Sequence, residues 1–153
     1  MLAWKIQWNY ESSDLVDKYE KKLMSPNNSF KRPPVSEELT RRWGNAVIKD
    51  GFQAVPHRLL RHQADLRITD QELVVLLNVL DFWWATERRP FPGAASISHR
   101  IGSAERTVRR HMRALEKKGY VVKRKQEQGD KSEFDFTGLI HKLATLVDGN
   151  KNN

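Results

Sequence analysis

GSAERTVRRHMRALEKKG (102–119), followed by YVVKRK (120–125), carries two patterns at once. At 100° per residue, Ala104, Val108, Met112 and Leu115 fall on one narrow stripe, the spacing of an α-helix seated on a core. Arg106, Arg109, Arg110, Arg113 and Lys117 fall on or near the opposite side, where the sequence offers nothing to neutralise them. A helix apolar on one side and guanidinium-rich on the other presents cations to a partner.

The charge count indicates which partner. Residues 100–125 hold ten Lys/Arg (100, 106, 109, 110, 113, 117, 118, 123, 124 and 125) and two acids, Glu105 and Glu116. Their net charge therefore equals the +8 of the whole chain, and the 17 basic and 17 acidic residues outside the window cancel. A positive field this localised recruits polyanions and speeds their encounter.

The remaining composition sets bounds. At 153 residues the chain is long enough for one domain with a small N-terminal appendage, and an apolar share of 39% suffices for a core. No cysteine is present, which excludes disulfides and thiolate metal sites and fits a reducing compartment. The longest apolar run, Leu73 to Leu77, is far short of the roughly 20 residues of a membrane span. The first residues, MLAWKIQWNYESSD, lack the basic-then-apolar pattern of an export signal, so a soluble cytoplasmic protein is expected.

Upstream, Trp4, Ile6, Trp8 and Tyr10 alternate with polar residues and predict a strand; a short helix over 14–24 and a linker, SPNNSFKRPP (25–34), follow. Residues 1–34 read equally as a strand–helix appendage or a partly ordered arm, and 35–148 as the main domain with a flexible tail at 149–153. Ser36 starts a helix over EELTRRWGNAV, Lys49-Asp50-Gly51 is a turn, and Pro56 opens a helix over HRLLRHQADL. Thr69 and Glu72 form a capping box ahead of LVVLLNVLDFWW, whose apolar character on nearly every side predicts the buried centre of the domain. Arg89-Pro90-Phe91-Pro92-Gly93 ends that helix. A short helix over 94–101 then leads through Gly102 into the basic helix, which Gly119 closes. Tyr120-Val121-Val122 and Phe134-Asp135-Phe136 predict a hairpin with a basic tip, and Thr137 caps a last helix over 138–147.

Short helix, glycine corner, basic helix and basic hairpin make a winged helix-turn-helix: mainly α with a small β-hairpin wing (α+β), a three-helix core and flanking helices. PFPGAASISHRIGSAERTVRRHMRALEKKGYVVKR (90–124) resembles that region of bacterial winged-helix DNA-binding domains. Ile101-Gly102, Arg106-Thr107-Val108, Arg110, Leu115 and Gly119 occupy the places of that family's glycine corner, S-x-R-T-V-x-R recognition helix and L-x-x-x-G exit. Upstream, Gly51-Phe52, Val55-Pro56, Leu59-Leu60 and the long apolar helix are similar to the entry of helix-turn-helix domains in bacterial regulators and replication proteins, DnaD-type replisome organisers among them. The resemblance spans residues 43–147 and departs at one point. Where the family has a small hydroxyl residue at the start of the recognition helix, this chain has Ala104, with Ser103 one place earlier. Either Ser103 caps and the helix starts a residue sooner, or one N–H is left to solvent or phosphate.

The resemblance implies binding of double-stranded DNA, with the second helix in the major groove and its N-terminal half on base edges. Ser103 stands at the start of that helix. Arg106 and Arg110, one turn apart, suit forked donation to guanine, and Thr107 suits a phosphate or a thymine methyl. Arg109, Arg113 and Lys117 suit phosphates, and Lys123, Arg124, Lys125 and Lys131 on the wing suit gripping the backbone or probing the minor groove. The chain then reads as a sequence-specific transcriptional regulator, or as a replication-initiation or replisome-organising protein; an RNA- or protein-binding winged helix is a third reading. Trp83-Trp84, the strand at 4–10 and the last helix suggest a homodimer, and a replication or transcription protein is a further partner. The five histidines show no metal-ligand spacing, no nucleotide-binding or nucleophile motif occurs, and neither an enzyme nor a cofactor is expected.

Overall fold

The computed structural model describes residues 35–83, 89–125 and 132–146. Every described residue belongs to the unit Arg32–Asn153. The expected strand at 4–10, the helix at 14–24, the linker at 25–34, Trp84 and Lys131 lie outside the described residues.

The described part is mainly helical with one small antiparallel sheet. In chain order it contains α1 (Glu37–Trp43), α2 (Asn45–Ile48), α3 (His57–Arg61), α4 (Asp70–Leu80), α5 (Ala94–Ile101), α6 (Glu105–Lys117), β1 (Val122–Lys125), β2 (Ser132–Asp135) and α7 (Thr137–Thr145). Helices α4, α5 and α6 pack mutually, and Val75, Leu76 and Val79 of α4 meet Ile97 of α5 and Val108, Met112 and Leu115 of α6 in one core. Leu59, Leu66, Ile68, Phe134, Phe136 and Leu139 extend that core around the hairpin and the flanking helices. Among the described residues, no helix is long and apolar enough to cross a membrane.

Local chemistry explains most element ends. The Thr69 hydroxyl accepts from the Glu72 N–H at 3.2 Å and the Glu72 carboxylate accepts from the Thr69 N–H at 2.9 Å, so both halves of the capping box form. Ser36 caps α1 by accepting from the Leu39 N–H. The single helix expected over EELTRRWGNAV is broken, however. Gly44 sits at φ +79° and ψ 153°, a conformation open only to glycine, and divides it into α1 and α2. The helix expected over 57–66 stops at Arg61, and a turn carries the chain to Arg67, which adopts φ +53°. Pro56 is that helix's cap, with extended ψ, and is not in its first turn.

Two further expectations change. Helix α4 ends at Leu80, ahead of Phe82 and Trp83, and Val74 is 44% exposed. A continuous apolar run does not reveal that α5 and α6 cover only one of its sides. Thr137 does not cap α7 with its side chain. Its N–H and hydroxyl both donate to the Asp135 carboxylate, at 2.8 and 2.6 Å. Alternation along β2 would expose Asp135, yet it is 5% exposed.

Candidate nucleic-acid interface

Helix α6 forms because Arg, Met, Ala, Leu, Glu and Lys are strong helix formers and because its apolar stripe is buried. Val108 and Leu115 are fully buried and Met112 is nearly so, whereas Ala104 is the exposed N-cap. No side chain caps the helix start, so Ser103 does not, and one of the two sequence-level alternatives is removed. The missing cap forgoes about 0.5–2 kcal/mol. Burying Val108 and Leu115 contributes about 1.5–3 kcal/mol each as an upper bound, so packing holds the helix in place.

Both ends of α6 are fixed by left-handed corners. Gly102 sits at φ +63° and ψ 31°, and the N–H groups of Gly102 and Ser103 both donate to the Ser98 carbonyl. At the far end the Gly119 N–H donates to the Glu116 carbonyl and the Tyr120 N–H to the Leu115 carbonyl, closing a Schellman turn. The Tyr120 hydroxyl then donates to the Leu66 carbonyl at 2.9 Å.

Not all ten cations of the 100–125 window are uncommitted. Arg109 donates through Nε and Nη2 to Oε1 of Glu105, one turn earlier, so the expectation of an unneutralised Arg109 does not hold. Arg100 pairs with Asp81 at 2.8 Å and lies over the Phe82 ring, 4.5 Å from its centroid. Lys118 pairs with Glu72, and its ammonium also donates to the Arg67 carbonyl at 2.6 Å. Arg124 pairs through Nε with Asp135 at 3.0 Å. Each partner except Glu105 comes from outside the window, which is why counting within it missed them.

The other six cations, Arg106, Arg110, Arg113, Lys117, Lys123 and Lys125, are exposed and have no ion-pair partner among the described residues. Four of them form one line. At 100° per residue, Arg106, Arg110, Arg113 and Lys117 occupy a strip about 60° wide and about 16 Å long, opposite Val108, Met112 and Leu115. Thr107 and Ser103 are half-buried beside it.

The hairpin divides its charges by face. Lys123 pairs across the strands with Phe134 and Lys125 with Ser132, whereas Arg124 pairs with Glu133 and Val122 with Asp135. Strand alternation therefore puts Arg124, Glu133 and Asp135 on one face and Lys123 and Lys125 on the other. Arg89 joins the first face, bonding Glu133 at 3.0 Å and Asp135 at 3.3 Å. The Phe134 N–H donates to the Pro90 carbonyl, so the segment before α5 covers the outer edge of β2. Trp83 stacks on Phe136 at the hairpin root, with centroids 5.4 Å apart.

Two carboxylates are tuned by these contacts. The hydroxyl of Thr137, then its N–H, hold the Asp135 carboxyl below its ordinary value; burial opposes them, and Arg89 and Arg124 add to the lowering. Burial pushes Glu72 upward, but Lys118 and Thr69 together outweigh it and leave Glu72 lowered. His111 has Nε2 buried with no hydrogen-bond partner among the described residues. No three His, Asp or Glu side chains gather to hold a metal ion among the described residues.

The pattern of the DnaD N-terminal domain family matches residues 55–153. The crystal structure of the N-terminal domain of DnaD protein from Geobacillus kaustophilus HTA426 shares the fold, with a TM-score of 0.52 at 24% identity over 72% of this chain and 88% of that one. No curated protein matches the sequence. Since the family pattern takes in the core helices, the basic helix, the hairpin and the last helix, the chain belongs to the DnaD N-terminal domain family.

Proposed function

We propose that this protein binds double-stranded DNA in replication initiation or replisome organisation, with α6 laid in the major groove and the β1–β2 hairpin serving as its wing. The observation that carries this reading is the line of Arg106, Arg110, Arg113 and Lys117, opposite the core and without ion-pair partners among the described residues. An exposed cation row without interleaved acids concentrates positive potential on one face and is matched by a phosphate backbone. Arg106 and Arg110, near the helix start, face base edges in this docking; Arg113, Lys117, Lys123 and Lys125 meet phosphates. Family membership favours replication, the second reading of the sequence, over the transcriptional regulator that is its first. Tyr120, Phe134 and Phe136, the aromatic side chains of the hairpin and its flanks, are buried in the core and are not available to stack on unpaired bases.

Titration of the whole chain with duplex DNA, the same sequence as a single strand, and structured RNA, each over a range of salt, tests this. Neutralising about four phosphates with Arg113, Lys117, Lys123 and Lys125 should give a slope of log affinity against log salt of about −3 to −4 for duplex. A flat slope, or a preference for RNA, overturns the proposal.

A further inference from the structure

We infer that Glu105 is a specificity-determining residue that accepts a hydrogen bond from cytosine in the major groove, with Arg109 as the residue that positions it. This rests on the duplex-binding reading above. Glu105 is the first residue of α6, the end that a helix-turn-helix brings to base edges. It is the one acid in the N-terminal half of that helix, beside Arg106 and one turn and more from Arg110. An unneutralised carboxylate there would be repelled by the phosphates that the cation row attracts. Arg109 removes that conflict by pairing with it.

The way the pair is made matters more than its existence. Both Arg109 donors, Nε and Nη2, converge on Oε1. Oε2 receives no hydrogen bond from any described residue and stays available, on a side chain that is 42% exposed and already oriented. An ionised carboxylate only accepts. Cytosine presents an amine donor in the major groove, whereas adenine presents a donor beside the N7 acceptor, which repels a carboxylate, and guanine and thymine present acceptors. The free oxygen therefore fits cytosine, and the neighbouring Arg106 and Arg110 fit guanine. An acid in a first helical turn also favours the helix dipole, but that role is indifferent to which base lies opposite.

The whole chain, E105Q and E105A are each used to select sequences from a random duplex pool. Each protein is then titrated with four duplexes differing at the position that responds. The wild type should prefer cytosine there by about 5- to 150-fold. E105Q, whose single amide oxygen is held by Arg109, turns an N–H donor toward the base and should abolish the preference for cytosine in favour of bases that present an acceptor, and E105A should level the four bases while duplex binding persists. E105Q preserves the size of the side chain and its reach to Arg109, so it serves if E105A folds poorly; melting curves decide that. Duplex binding with no position that responds to either substitution overturns the role of Glu105 and leaves the DNA-binding reading standing. Absence of duplex binding by the wild type overturns that reading itself.

Discussion

Gly138, in the first turn of α7, lies against the carbonyl of Gly119, the residue that closes α6. A Cβ placed on Gly138 would stand 2.0 Å from the Gly119 oxygen and 3.2 Å from its carbonyl carbon. Gly119 is itself held at φ +77° by the Schellman turn, so neither backbone has an easy direction in which to retreat. Through this contact the end of the cationic helix is braced by the helix that follows the hairpin.

Gly138→Ala should therefore cost about 3 kcal/mol or more, at the upper end of overpacking effects. Gly93→Ala is the control, with φ −72° and nothing within 4 Å of the added carbon. It should change stability by about 1 kcal/mol or less. Thermal or urea unfolding measures both, and equal effects would remove the steric argument.

Asp135 should give the molecule a pH-dependent component of stability. Its carboxyl lies below the ordinary 3.8 when folded, so its contribution is fully present above the unfolded value and is lost as pH falls through the folded one. Asp135→Asn keeps an acceptor for Thr137 but loses the charge facing Arg89 and Arg124. It should cost about 1–3 kcal/mol at pH 7. The difference from wild type should be constant down to about pH 5 and shrink below it. A pH-independent difference would mean that the carboxylate charge is not what the site uses.

Asp135 also marks where the sequence stops being legible. The three-helix core, the Gly102 corner, the Thr69–Glu72 capping box and the antiparallel hairpin are all local patterns, and each was readable from spacing alone. What the sequence hid were contacts between residues far apart in it. Alternation alone would leave Asp135 in solvent, and nothing nearby announces Arg89, 46 positions earlier, as its partner. In the same way Glu72 looked complete as half of a capping box, and Lys118 as one of ten cations, until the fold joined them. Gly44 broke a helix whose pattern was otherwise continuous, because glycine tolerates a helix interior in many contexts and pattern does not say when it will not.

The division of the cations into paired and unpaired should be visible in salt dependence. Replacing Arg113 or Lys125 with Ala should weaken duplex binding on every sequence and reduce the salt slope by about 1. Arg100→Ala and Arg124→Ala remove charges already matched by Asp81 and Asp135, so their slopes should stay closer to that of the wild type. Arg106→Ala and Arg110→Ala should instead cost about 1–3 kcal/mol on a selected site and less on random duplex. Equal losses for all six would mean that internal pairing does not determine which cations meet DNA.

Lys117 and Lys118 allow the sharpest comparison, since they are adjacent and chemically identical but turned in different directions. Lys117 is exposed on the cation row, with no ion-pair partner among the described residues. Lys118 reaches Glu72, which is 5% exposed, and also donates to the carbonyl of Arg67. Arg67 is held at φ +53°, a conformation that costs a residue with a side chain about 1–2 kcal/mol and persists only when its surroundings enforce it. Lys118→Met keeps most of the aliphatic stem but leaves the Glu72 carboxylate buried without its cation, and should destabilise the fold by about 2–4 kcal/mol. Lys117→Met should leave stability within about 0.5 kcal/mol and lower duplex affinity, with a salt slope reduced by about 1. Unfolding and DNA titration on the same two variants separate the roles. If Lys118→Met unfolds like the wild type, the link between the end of α6 and the start of α4 is not an energetic one.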